Sequence, residues 1–322
     1  MIIAGTGKFL PEKILSNADL EKLVDTSDEW IFSRTGIRER RIASEKQSSA
    51  TMGAEAAKQA LAEAGTAPED VDLIITATVT PDAIFPSTAC HIQRLIGARR
   101  AAAFDLQAAC SGFLYAIVVA EQFLKTGLYR NILVIGAEKL SSIINWEDRS
   151  TCVLFGDGAG AVLVQPSPGK SKLLAADLGA DGTYHEILYL LNGQTGGPNG
   201  EPPGGGPYYM TMAGQETFKQ AVTAMTQSCN KVMAETGLAT DDLRCAIPHQ
   251  ANIRIINALG DRLNVPPDKR FINVDRYGNV SAACIPVALC EAKEHYQFQP
   301  GDKILLVAFG GGLTWASAIL EW

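Results

Sequence analysis

An α/β architecture with an internal duplication is expected from three features of this chain. First, helix-like and buried strand-like stretches alternate. Thr51 to Ala64 reads as a helix stopped by Gly65, followed by the strand Val71-Asp-Leu-Ile-Ile-Thr-Ala-Thr78. Ala89 to Ile96 reads as a helix stopped by Gly97, and Asn131-Ile-Leu-Val-Ile-Gly136 as a further strand. Second, two short patterns recur in the same order. Ala62-Glu-Ala-Gly65 with Pro68-Glu-Asp-Val-Asp-Leu-Ile-Ile75 is echoed by Ala234-Glu-Thr-Gly237 with Thr240-Asp-Asp-Leu-Arg-Cys-Ala-Ile247. Phe155-Gly-Asp-Gly158 is echoed by Phe309-Gly-Gly-Gly312. Third, Ala101-Ala-Ala-Phe-Asp-Leu-Gln-Ala-Ala-Cys-Ser-Gly-Phe113 reads as a buried strand, a turn and the start of a helix that is apolar nearly all round through Ala120. The echoes divide the chain into halves, 1–170 and 171–322, expected to pack about a pseudo-twofold axis.

Composition sets the bounds. A chain of 322 residues, 47% hydrophobic, can bury a large core, and a mean hydropathy of +0.05 fits a compact globular protein. The formal net charge of −7 repels nucleic acid and anionic membrane as a whole, so an anionic ligand needs a local basic patch. The opening Met-Ile-Ile-Ala-Gly-Thr-Gly reads as a first strand rather than a signal peptide, and no run approaches 18 apolar residues. Seven irregularly spaced cysteines without a CxxC pair argue against disulfides and zinc. These readings make the protein reduced and cytoplasmic.

Further along, Asn17 to Val24 is helix-forming. Thr26 or Ser27 can cap a second helix with Glu29 and Trp30 in its first turn. Arg34-Thr-Gly-Ile-Arg-Glu-Arg-Arg41 places four arginines in eight residues, either a solvated loop or a site for a polyanion. Trp30 nearby favours the second, since an indole beside guanidinium groups can sandwich a base. Val153-Leu-Phe-Gly-Asp-Gly-Ala-Gly-Ala-Val-Leu-Val164 reads as a glycine turn between two strand-like runs. A dinucleotide fingerprint needs a helix after its glycines, which this stretch lacks. Residues 192–207 form a Gly/Pro-rich loop, either a flap or an insertion.

The chemistry centres on Cys110. At a helix N-terminus, unpaired N–H groups and the positive end of the dipole favour a thiolate. Of the four histidines, at 91, 185, 249 and 295, no pair has metal-ligand spacing. His249 ends the run Cys245-Ala-Ile-Pro-His249, at the C-terminal edge of a strand where α/β proteins place their chemistry. His295 lies on a polar helix face. Asn279 sits in a glycine-bearing turn before a helix that Ser281 is positioned to cap. A cysteine nucleophile with a neutral histidine and an amide suits chemistry that builds negative charge on a carbonyl oxygen.

At these motifs the chain resembles the β-ketoacyl-acyl-carrier-protein synthase III family of thiolase-fold condensing enzymes. The resemblance spans Thr26 to Ile31, Arg34 to Arg41, Phe85-Pro-Ser87, Ala109-Cys-Ser-Gly-Phe113, Phe155 to Gly158, Pro248-His-Gln-Ala-Asn252, Tyr277-Gly-Asn279 and Phe309 to Gly312. It implies a thiolase-like, five-layered αβαβα core and a homodimer. It also implies a reaction without cofactor or metal, in which a short acyl-CoA, acetyl-CoA in particular, condenses with malonyl-acyl-carrier protein. Cys110 would hold the acyl group and release CoA. Backbone N–H groups of Cys110 and Gly311 would form the oxyanion hole, and His249 and Asn279 would stabilise the enolate left when carbon dioxide departs.

By the same resemblance Trp30 and Arg149 sandwich the CoA adenine, and Arg34 and Asn252 lie near pantetheine and phosphates. Phe309 lines the acyl pocket, which Phe85 enters from the other subunit. Lys219 and Arg254 receive the carrier protein. Two features depart from the family: Asp261-Arg262 stand where two basic residues are usual, and the 192–207 loop is long.

Papain-like proteases also carry Cys, His and Asn in this order, but the Cys-Gly-Ser-Cys-Trp pattern is missing here and the α/β duplication disfavours them. A synthase of secondary metabolism with a non-carrier acceptor keeps the fold and changes the substrate. A catalytically dead relative is disfavoured because all three site residues are present.

Overall fold

The computed structural model describes residues 1–191, 197 and 209–322; apart from residue 197, the Gly/Pro-rich loop expected at 192–207 lies outside the described residues. Two sheets form the frame. The first runs, edge to edge, Ile2–Phe9, Asp157–Gln165, Ile132–Lys139, Leu73–Ala77 and Ala102–Leu106, with the last three strands parallel. The second runs Leu173–Ala180, Thr314–Glu321, Lys303–Gly310 and Leu243–Pro248.

Counted within each sheet, the strands follow the same order. The correspondence extends to the last position, where a single parallel bridge from Ala246 to Arg270 stands in for the fifth strand. Each half also carries a helix, a glycine stop and a short acidic turn ahead of its second strand. In one half these are Ser49–Ala64, Gly65 and Pro68–Asp70; in the other they are Gly214–Thr236, Gly237 and Thr240–Asp242. Gly65 and Gly237 both adopt the left-handed conformation that ends a helix cleanly.

Between the sheets lie the helices Gly112–Thr126 and Cys284–Tyr296, each touching strands of both. Their apolar faces explain why. Phe113, Ile117, Ile285 and Leu289 share one buried cluster with Ile75 and Val134 of one sheet and Ile247 and Leu306 of the other. Ser49–Ala64 and Thr88–Ile96 cover the outer face of the first sheet, and Gly214–Thr236 with Ile253–Arg262 that of the second. Helix, sheet, helix, sheet, helix is the five-layered order.

Three local readings differ. The helix expected over Asn17 to Val24 stops at Leu20, after which the chain makes turns. The glycines between Phe155 and Gly160 do not turn between two strands. Val153 and Leu154 are loop, a single strand runs Asp157–Gln165 through the glycines, and the helix Cys284–Tyr296 packs on that strand.

The third difference concerns the four arginines, which do not form one basic patch. Arg40 is wholly buried, donating to Asn17 Oδ1 at 2.8 Å and to the carbonyls of Leu15 and Val153. Burial lowers it to about 10, still cationic at neutral pH. It neutralises carbonyl dipoles of a turn rather than a ligand. Replacing Arg40 with Met strips these acceptors of a charged donor, and the expected loss is about 3 kcal/mol of unfolding free energy, measured by denaturant titration.

Candidate active site

The turn that carries Cys110 is held from behind. Ser111 Oγ donates to Thr314 O at 3.2 Å, and Thr314 Oγ1 donates to Ala108 O at 2.9 Å, tying the turn to the second sheet. Ala109 is forced to a φ of 46°, a left-handed conformation rare for a residue with a Cβ. Gly310 permits the closeness, for a Cβ there would stand 2.6 Å from Cys110 N.

Cys110 precedes the helix that begins at Gly112, yet it is not a ready-made thiolate. Burial dominates and pushes its thiol up to about 12; contact with Ser281 works the other way, and the negative charge of Glu138 adds to the rise. Burial thus works against the thiolate that the helix terminus was expected to supply.

His249 follows the last residue of the strand Leu243–Pro248, its N–H donating to Val307 O at 2.8 Å. It is 4% exposed, and among the described residues its Nδ1 has no hydrogen-bond partner. Burial depresses the imidazole from 6.5 to about 4, so it is neutral at physiological pH. Asn279 is clamped by its backbone, donating to Leu154 O and accepting from Gly156 N. Its Oδ1 accepts from Ser281 N at 2.8 Å, which leaves the amide N–H groups as the donors it can offer.

Cys110, His249 and Asn279, drawn from three separate elements, line a single cavity of about 950 Å³. Phe309, Gly311, Trp30, Arg34, Asn252 and Arg254 also border it. Arg34 and Arg149 flank the Trp30 ring, with guanidinium carbons 4.7 and 5.1 Å from its centroid. Arg149 also donates to Asp25 O at 2.7 Å.

Asn252 does structural work as well. Its Oδ1 accepts from Arg254 N at 2.8 Å as the cap of the helix Ile253–Arg262, and its Nδ2 donates to Arg34 O at 3.1 Å. Lys219 and Arg254 are exposed, Arg254 over the ring of Phe218, whereas Asp261 is engaged by Arg270 at 2.7 Å. Phe85 is 84% exposed and does not border the cavity of its own chain.

Three residues at or behind the cavity escaped sequence reading. His185 borders it from an irregular segment that carries no pattern. Ser281, expected as a helix cap, caps nothing; its hydroxyl is buried beside Cys110 and Glu138. Glu138 is a carboxylate in the middle of an apolar strand, and that anomaly was its available signal.

Comparison with known proteins identifies the family. A family profile described as 3-oxoacyl-[acyl-carrier-protein (ACP)] synthase III matches residues 104–182, and its C-terminal counterpart matches residues 233–322. The β-ketoacyl-[acyl-carrier-protein] synthase III of Caldanaerobacter subterraneus is 53% identical over 321 residues, covering 99% of this chain and 97% of that protein. The chain belongs to the 3-oxoacyl-acyl-carrier-protein synthase III family. Among solved members, the Aquifex aeolicus synthase III superposes with a TM-score of 0.93 at 51% identity, covering 99% of each chain. The priming β-ketosynthase of the R1128 polyketide pathway superposes at 0.92 with 34% identity, over 99% of this chain and 95% of that one. This synthase is accordingly an acyltransferase of the condensing type with the thiolase fold.

The buried His249 makes a pH prediction. Its folded value lies below the unfolded one, so between 6.5 and about 4 the unfolded chain binds the extra proton and stability falls as pH falls. Chemical denaturation from pH 7 to 4 is expected to give a shallower decline for His249→Gln than for the parent chain.

Proposed function

We propose that Cys110, His249 and Asn279 carry the decarboxylating condensation of this family, joining an acyl-CoA to malonyl-acyl-carrier protein. The supporting observation is their convergence on one cavity with a tryptophan and arginines at its border. In the first half-reaction, the Cys110 sulfur attacks the thioester carbonyl and CoA departs. Backbone N–H groups of Cys110 and Gly311 hold the oxyanion, a role that suits two backbones kept in contact at Gly310.

In the second half-reaction the malonyl group loses carbon dioxide, leaving an enolate whose oxygen takes hydrogen bonds from His249 and Asn279. The carbanion attacks acyl-Cys110 and releases the β-ketoacyl product. Neutral donors suit this step, because a carboxylate there would repel the developing charge. Neutral His249 and an Asn279 whose Oδ1 is already occupied offer that environment.

The reading extends to the surroundings. Trp30, Arg34, Arg149 and Asn252 hold CoA; Phe309 bounds the acyl group; Lys219 and Arg254 meet the acidic carrier protein. The exposed ring of Phe85 and the unpaired edge of Ala102–Leu106 suit a homodimer in which Phe85 closes the partner's acyl pocket, favouring acetyl. Neither cofactor nor metal enters the chemistry. The setting is the cytoplasm, where both thioesters are met; among the described residues no helix is long and apolar enough to cross a membrane.

A second reading is favoured by the likeness to the polyketide-priming synthase: the same acyl-Cys110 passes to an acceptor of secondary metabolism. Turnover with acetyl-CoA and either malonyl-acyl-carrier protein or malonyl-CoA separates the two.

Intact-protein mass spectrometry after exposure to acyl-CoAs of graded length is expected to show an acetyl adduct that Cys110→Ala lacks. His249→Ala and Asn279→Ala are expected to retain the adduct while condensation falls about 10²–10³-fold. Loss of acylation in both variants, or an adduct that survives Cys110→Ala, would sink these assignments.

A further inference from the structure

The cavity leaves one problem unsolved: where the proton of Cys110 goes. The sulfur must shed it to attack, its thiol is pushed up to about 12 by burial, and His249 at about 4 is a poor acceptor. Near the sulfur stand two groups that the condensation has not used, Ser281 at the cavity wall and the buried Glu138.

Glu138 lies in the strand Ile132–Lys139 and has no exposed surface. Its hydrogen-bond partners are neutral. Oε2 accepts from Thr80 Oγ1 at 2.7 Å and Thr78 Oγ1 at 3.2 Å, and both oxygens approach Val79 N. Among the described residues no salt bridge includes it; the titratable groups facing it are the thiols of Cys110 and Cys284. Burial raises its carboxyl to about 7 against the pull of these donors.

Ser281 fills the gap. Its Oγ is buried and has no hydrogen-bond partner among the described residues, while its hydroxyl pulls both the Cys110 thiol and the Glu138 carboxyl down against their burial. The backbone fixes it there. Ser281 is held at a φ of 48°, and its turn, Ser281–Ala283, sits directly on the strand of Glu138, where a Cβ on Gly136 would stand 2.3 Å from Ala282 O. The next turn in contact is Ala109–Ser111, which carries Cys110.

We propose that Ser281 and Glu138 form a proton path from Cys110, with Glu138 as a positioning residue that acts through the serine. As the Cys110 S–H proton passes to Ser281 Oγ, the Ser281 O–H proton passes to the Glu138 carboxylate. The freed sulfur electron pair forms the bond to the thioester carbonyl carbon. When the tetrahedral adduct collapses, the carbon–sulfur bond to CoA breaks, and the proton returns through Ser281 to the departing CoA sulfur. One negative charge is shared throughout, so the cavity never has to hold a carboxylate and a thiolate together. The proposal rests on Cys110 being the nucleophile.

The test measures Cys110 alkylation by iodoacetamide against pH, located by peptide mass, in the full chain and in Glu138→Gln and Ser281→Ala. The path predicts that both variants alkylate more slowly near neutral pH. At high pH Glu138→Gln catches up or overtakes, because a charge that opposed ionisation is gone. Single-turnover acetylation by acetyl-CoA is expected to slow about 10²-fold in each.

If Glu138 merely repels the thiolate, Glu138→Gln alkylates faster at every pH, and the path is refuted. Unchanged alkylation in Ser281→Ala refutes it equally, and that variant retains the carboxylate should Glu138→Gln fold poorly. Alkylation needs no acyl-CoA. A missing acetyl adduct on Cys110 therefore counts against the nucleophile assignment, while the alkylation profile still decides the path.

Discussion

Everything in this molecule depends on two apolar helices being buried between two sheets. Gly112–Thr126 and Cys284–Tyr296 lie between two sheets, and burying them supplies the largest apolar cluster among the described residues. A helix enclosed in this way satisfies its backbone internally except at its ends. The ends are where polar groups must gather, and here both N-terminal turns border the same cavity. The site is thus located by a packing requirement before any catalytic residue is considered.

Within that frame, desolvation sets the protonation of the site. The thiol of Cys110, the imidazole of His249 and the carboxyl of Glu138 are each displaced toward their neutral forms, burial being the leading cause in all three. Neutral donors and acceptors within a dry wall suit the making and breaking of thioesters, where charge appears only in passing. Arg40 keeps its charge because carbonyls and an amide oxygen surround it.

Much of this was legible in the sequence because it rests on local signals. Glycine stops at Gly65, Gly97 and Gly237 marked helix ends correctly, and Ser27 caps its helix as its spacing implies. The alternation of elements and the two echoes pointed to a doubled α/β layout, and the motifs around residues 110, 249 and 279 pointed to the residues that share the cavity. What stayed hidden depends on distant contacts. The protonation of Cys110 is set by walls from both halves, and the role of Ser281 by a strand some 140 residues earlier in the chain. The dispersal of the four arginines follows from Arg40 turning inward to meet Val153. Glycines near 158 read as a turn because what they permit, close approach of Tyr277 at Gly156, Leu10 at Gly158 and the helix residue Pro286 at Gly160, leaves no local mark.

The doubled architecture carries a consequence of its own. Ala109–Ser111 and Ser281–Ala283 occupy corresponding places, each a single tight turn ahead of a central helix, and each holds one residue in the left-handed region at nearly the same angle. A perfectly repeated chain would offer two identical turns facing one another, with two like nucleophiles competing for the same carbonyl. Here the repeat has broken its own symmetry: Cys110 stands where the other turn has Ala282, and Ser281 stands where the first has Ala109. Divergence between two copies of one fold, rather than the addition of new elements, is enough to turn a symmetric junction into a directional one.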